Sequence, residues 1–132
     1  MKDSILFAAL MLMSVVSSSA MAEWVKVQGN ENVTAYADPS TVRNRLGIAK
    51  VTSLFDFRQK NVRSDESEFF STIRETEFNC KGNLQRMAGF SIYTGSMGRG
   101  KLLASGSEPQ DWKPVSKFSI AIAMKNFACN RD

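Results

Sequence analysis

Along most of the chain after residue 22, apolar and polar residues alternate with a period of two, the mark of half-buried strands. "EWVKV" (23–27), with Trp24, Val25 and Val27, predicts a first short strand. "VTAYADPS" (33–40) predicts a second, ended at Asp38-Pro39, where proline fixes φ and aspartate caps the next segment. "GIAKVTSLFDF" (47–57) is rich in β-branched and aromatic residues and predicts a third. Its Ala49, Val51, Phe55 and Phe57 share one face, with Ile48 and Leu54 on the other.

The polar run "QKNVRSDESE" (59–68) breaks the pattern and predicts a loop. Strand periodicity returns over 69–80, where Phe70, Thr72, Thr76, Phe78 and Cys80 have one parity. "KGN" (81–83) predicts a tight turn, where Gly82 permits positive φ, and "LQRMAGFSIY" (84–93) the returning arm. "TGSMGRGK" (94–101), with Gly95, Gly98 and Gly100, predicts a flexible loop or a tight bend. "LLAS" (102–105) predicts a short strand and "GSEPQDWKPV" (106–115) an irregular segment. Then the period changes. Ile120, Ala123, Met124 and Phe127 follow i, i+3, i+4, i+7, which predicts an amphipathic helix capped by Ser116 or Ser119. The expected fold class is α+β: one small antiparallel sheet of about six strands with a C-terminal helix packed on it.

The first residues alter the setting. "MKDSILFAALMLMSVVSSSAMAEW" has a basic start at Lys2, an apolar run from Ile5 to Val16 broken only by Ser14, and Ala20-Met21-Ala22. That is the pattern of a secretory signal peptide (1–22) cleaved after Ala22. The run is short for a membrane span, which needs about 20 apolar residues. Residues 23–132 are then expected to form a single exported domain, periplasmic or extracellular, with no stable membrane anchor. In an oxidising compartment Cys80 and Cys129 pair. A metal pair lacks ligands, since the chain has 0 histidines, and a redox pair would sit close in sequence. A Cys80–Cys129 bridge pins the end of the helix to the strand ending at residue 80.

Candidate chemistry narrows accordingly. Without histidine there is no Ser-His-Asp triad, no Cys-His dyad and no imidazole ligand, and paired cysteines offer no thiolate. No cofactor or metal is expected. Asp65, Glu66 and Glu68 read as a solvated loop run rather than a glycosidase pair. Glu75 and Glu77 share a strand face with Ile73, suited to cross-strand ion pairing, and Arg74 points the other way. Gly95 and Gly100-Lys101 have phosphate-loop spacing, but Leu102 comes next and begins a strand, so a turn is the better account. The formal net charge is +4, and the removed segment loses one residue of each sign, Lys2 and Asp3. The basic residues are scattered among acids, an ordinary solubilising surface. Trp112, beside Lys113 and Pro114, reads as a residue packed over the sheet.

Trp24, "VTAYADPSTV" (33–42), "EFNCKGNLQRM" (77–87), "GRGK" (98–101), "DWKPV" (111–115), Ser119 and "FAC" (127–129) occur in an order that resembles the surface-adhesin protein E family of Gram-negative bacteria. The resemblance spans nearly all of the chain after residue 22. It implies a small antiparallel sheet with a C-terminal helix joined to it by Cys80–Cys129. It also implies kinship with adhesins, outer-surface lipoproteins that bind extracellular-matrix proteins. This sequence departs from them in having no lipobox cysteine.

The expected function is therefore non-enzymatic binding of a macromolecule through exposed loops, 58–68 and 95–101, with Arg58, Lys60, Arg63, Arg99 and Lys101 as contact residues. Expected partners are host or envelope proteins or acidic polysaccharide, not nucleic acid. The alternative is an accessory periplasmic protein that assembles, with itself or an envelope component, through a sheet edge.

Overall fold

The computed structural model of the protein describes residues 22–131. The expected signal peptide, apart from Ala22, lies outside them. Six strands succeed one another as an antiparallel meander: β1 (Val25–Gly29), β2 (Val33–Arg45), β3 (Ile48–Val62), β4 (Glu68–Asn79), β5 (Leu84–Tyr93) and β6 (Leu102–Gly106). A two-residue strand, β7 (Lys113–Pro114), joins the other end of β5 by pairing with Leu84 and Gln85, so the segment expected to be irregular extends the sheet. One helix closes the chain, α1 (Ile120–Cys129). The α+β expectation holds.

Two strand ends differ from the expectation. β2 does not stop at Asp38-Pro39; it bulges between Asp38 and Arg43 and runs on to Arg45. Pro39 is tolerated because a bulge requires no ladder donor from it. Within the bulge, the Thr41 hydroxyl oxygen accepts from the Thr52 amide at 3.0 Å and the Asp38 carboxylate accepts from the Ser40 amide and hydroxyl. β3 likewise runs on into the polar stretch as far as Val62, pairing Asn61 with Phe69 and Val62 with Glu68. Only a tight turn at 63–67 remains of the expected loop, closed by the Arg63 amide donating to the Ser67 carbonyl at 2.9 Å. In the 81–83 turn it is Asn83, not Gly82, that takes positive φ.

The sheet buries residues on both faces. On one, Ala35, Ala37 and Ala49 are small enough to let α1 lie close, and Val51 and Phe78 complete a core with Met124, Ala128 and Val115. Full burial of a side chain such as Val51 or Phe78 contributes about 1.5–3 kcal/mol. Ser119 caps the helix, its hydroxyl oxygen accepting from the Ile122 amide. At the other helix end Cys129 is bonded to Cys80, with 5.9 Å between their α-carbons. On the opposite face Leu54 is fully buried beneath the bend at 95–98.

That bend is the tight form of the two expected for 94–101. The Ser71 hydroxyl donates to the Gly95 carbonyl at 2.6 Å and accepts from the Gly98 amide at 2.9 Å, while the Asp56 carboxylate accepts from the Met97 amide at 2.8 Å. Gly98 has φ +72 and sits so near Ile73 and Leu54 that an added Cβ would come within 3.0 Å of Ile73. Both demands select glycine there.

Candidate functional site

Strand register decides where the basic residues go. Arg58 and Lys60 lie on the far end of β3, not in a loop, and Arg63 opens the turn after it. Asp56 pairs with Ser71 and Ser71 with Tyr93, so the 94–101 segment emerges at the same end of the sheet. The meander thus brings Arg58, Lys60, Arg63, Arg99 and Lys101 to one end. Two of the five are neutralised: Lys60 pairs with Glu68 at 2.9 Å and Arg63 with Asp65 at 3.2 Å. Arg58, Arg99 and Lys101 are exposed and belong to no ion pair among the described residues. Asp65 is itself held below its usual carboxylate range, first by the Ser67 hydroxyl, then by the Ser67 amide.

A second feature lies on the helix side. A ten-residue helix is about 15 Å long, whereas a fifteen-residue strand spans about 50 Å. α1 therefore leaves much of that face open. Beyond it Phe55 and Phe57 of β3, Thr72 and Arg74 of β4, and Met87 and Ile92 of β5 form a continuous strip. Two cavities of about 250 and 460 Å³ occupy the strip, sharing Arg74, Met87 and Gln110. The segment before β7 makes one wall, anchored where the Gln110 amide donates to the Met87 carbonyl at 2.9 Å. The first cavity reaches under α1 to Ala121 and Met124, and the second opens among Phe57, Phe69 and Phe90. Phe57 and Phe69 meet edge to face at 5.9 Å, which stiffens that end.

Arg74 stands where the two cavities join. Its guanidinium lies over the Phe55 ring, 4.0 Å from the centroid, and its Nε donates to the Thr72 hydroxyl at 3.1 Å. Burial pushes its pKa down from the ordinary arginine value. No carboxylate meets it: the four ion pairs among the described residues are Lys50–Glu75, Lys60–Glu68, Arg63–Asp65 and Arg86–Glu77. Neither cavity has an acidic residue in its lining. Glu75 and Glu77 occupy the opposite face, as expected, and form cross-strand pairs with Lys50 and Arg86. Sequence reasoning placed Arg74 on this side without assigning it a role. The available signal was a charge in the middle of the apolar parity of β4, between Thr72 and Thr76.

Trp112 is half-buried, with the Arg86 guanidinium 4.5 Å over its ring. Among the described residues no group of three or more carboxylates or thiols is arranged to hold a metal ion, and no helix is long and apolar enough to cross a membrane.

Comparison with known proteins gives a consistent result. No curated protein matches the chain. Among solved structures, crystal form II of Haemophilus influenzae protein E is similar with a TM-score of 0.65 at 12% identity, over 83% of this chain and 89% of that one. Another structure of Haemophilus influenzae protein E gives 0.62 at 12% identity, over 83% and 86%. Protein E from non-typeable Haemophilus influenzae gives 0.60 at 12% identity, over 86% and 79%. At that identity the likeness is one of fold. The family described as Surface-adhesin protein E matches residues 24–130, and so the chain belongs to the surface-adhesin protein E family.

Proposed function

We propose that the protein is an exported, non-enzymatic adhesion domain that contacts a host or envelope macromolecule of acidic character through one end of its sheet. The observation that carries this reading is the convergence of Arg58, Arg99 and Lys101, unpaired and exposed, at that end of a disulfide-stapled scaffold. Rigid support matters because ordering long basic side chains on a mobile loop would consume much of the binding energy. Three unpaired cations at one end of the sheet favour sulfated polysaccharide or an acidic protein surface, with attraction that fades as salt shortens the screening length.

The sheet-edge alternative has weaker support. The two outer strands, β1 and β6, are each only five residues long; β1 is bulged between Lys26 and Gln28 and carries a lysine, and the pairing of β5 with β6 shifts register between Ile92 and Tyr93. Those are the features that discourage edge pairing.

The test is binding to immobilised heparin and to matrix proteins over a salt series. Retention that falls with salt and is abolished in the R58E/R99E/K101E variant supports the reading. Retention unchanged by the triple substitution overturns it.

A further inference from the structure

We infer that the groove beside α1 is a binding site for a small monocarboxylate with an apolar body, of the fatty-acid type, whose carboxylate is received by Arg74. This site is separate from the basic end of the sheet and stands or falls independently of it.

An unpaired guanidinium partly removed from bulk water is costly, and folded chains normally supply it a carboxylate. Here the chain supplies an aromatic ring and one hydroxyl, Phe55 and Thr72, and both are neutral. The Nε is satisfied within the protein, which leaves the two terminal nitrogens without an acceptor among the described residues. They remain in contact with the cavity, because no buried side-chain nitrogen lacks a partner. A planar fork of two parallel N–H donors matches a carboxylate, which it grips in bidentate fashion.

The charge count selects a monoanion. Arg74 is the one cation at the junction, and Lys113 is exposed on the wall of the first cavity. A phosphate monoester would bring a second negative charge to a place with a single, half-buried positive one. The remaining lining selects an apolar body: Phe57, Phe69, Phe90, Ile92 and Met87 surround the larger cavity, with no acid among them. Ring faces and a thioether offer adaptable surface to a chain but few partners for a peptide backbone.

The experiment is calorimetric titration of the purified protein with octanoate and decanoate below their aggregation limits. 1-Decanol serves as the uncharged control, and a short acidic peptide as the competitor class. Saturable binding should tighten by about two- to fourfold per added methylene. Decanol should bind at least tenfold more weakly than decanoate. R74M should abolish the preference for decanoate over decanol without lowering the unfolding midpoint, since it removes a charge that folding desolvates. T72D, which offers Arg74 an internal carboxylate, should weaken decanoate binding at least tenfold and keeps the test valid if R74M misfolds. Absence of saturable decanoate binding overturns the inference. So does equal binding of decanol, wild-type affinity in either variant, or binding of the peptide alone.

Discussion

The Arg86 guanidinium grips the Glu77 carboxylate across β5 and β4, its Nε at 3.1 Å and its Nη2 at 2.9 Å from the same oxygen, while Trp112 covers it. Both partners are largely shielded, with side-chain exposures of 30% and 17%. E77Q is expected to lower stability by about 1–2 kcal/mol, as for a charge-assisted hydrogen bond. A double-mutant cycle of W112A with E77Q should return a coupling of about 0.5–1 kcal/mol, because an uncovered guanidinium is wetter and binds more weakly. Urea unfolding of the four proteins measures it, and strict additivity would refute the covering role of Trp112.

Loss of the Cys80–Cys129 bond opens a closed segment with a sequence separation of 49. The chain-entropy argument gives a stabilisation of about 4 kcal/mol. C80A/C129A should unfold at a correspondingly lower urea concentration, with hydrogen exchange rising most in α1. A shift below about 1 kcal/mol would mean that the helix is held by packing alone.

Ser71 satisfies two backbone groups of the 95–98 bend with one hydroxyl. S71A should cost about 1–3 kcal/mol, the range for leaving buried polar groups unmatched. Amide protection at Gly98 should fall in the same variant, and protection of wild-type size would show that Asp56 alone suffices to dock the bend.

Strand and helix periods were plain in the sequence, and so was the pairing of the cysteines. What escaped was decided across the sheet rather than along the chain. Pro39 and the polar start of the 59–68 run argue locally for a break, yet ladder pairs beyond each bulge, Arg43 with Lys50 and Asn61 with Phe69, carry both strands on. Arg74 could be assigned to a face from parity alone. Its isolation from every carboxylate became visible only once Glu75 and Glu77 were seen to pair with Lys50 and Arg86 on the far side.

Asp65 titrates below its ordinary value of 3.8 because Ser67 hydrogen-bonds the charged form. A depressed carboxylate stabilises the fold above its unfolded pKa, and that contribution disappears as pH falls through the folded one. D65N should therefore flatten the acid limb of the stability profile below about pH 4. Carboxyl chemical shifts tracked by NMR check the direction, and an Asp65 midpoint above 3.8 would contradict it.

Leu46 occupies the hairpin tip between β2 and β3 with φ 54 and is 95% exposed. A left-handed backbone disfavours leucine, while asparagine accepts it more readily. L46N should raise stability by about 0.5–1 kcal/mol. An unchanged urea midpoint would mean that the unfolded chain gains equally.

Each strand from β1 to β6 lies beside its predecessor, so hairpins can zip up in the order of synthesis with short loops to close. β7 must return to the start of β5, and the terminal helix further still, to contact β1 and β2 at the start of the sheet. Two cysteines admit a single pairing, so oxidation has no wrong isomer to make and none to correct. Maturation should therefore need an electron acceptor but no reshuffling catalyst, with the sulfurs meeting only after every strand is already in place.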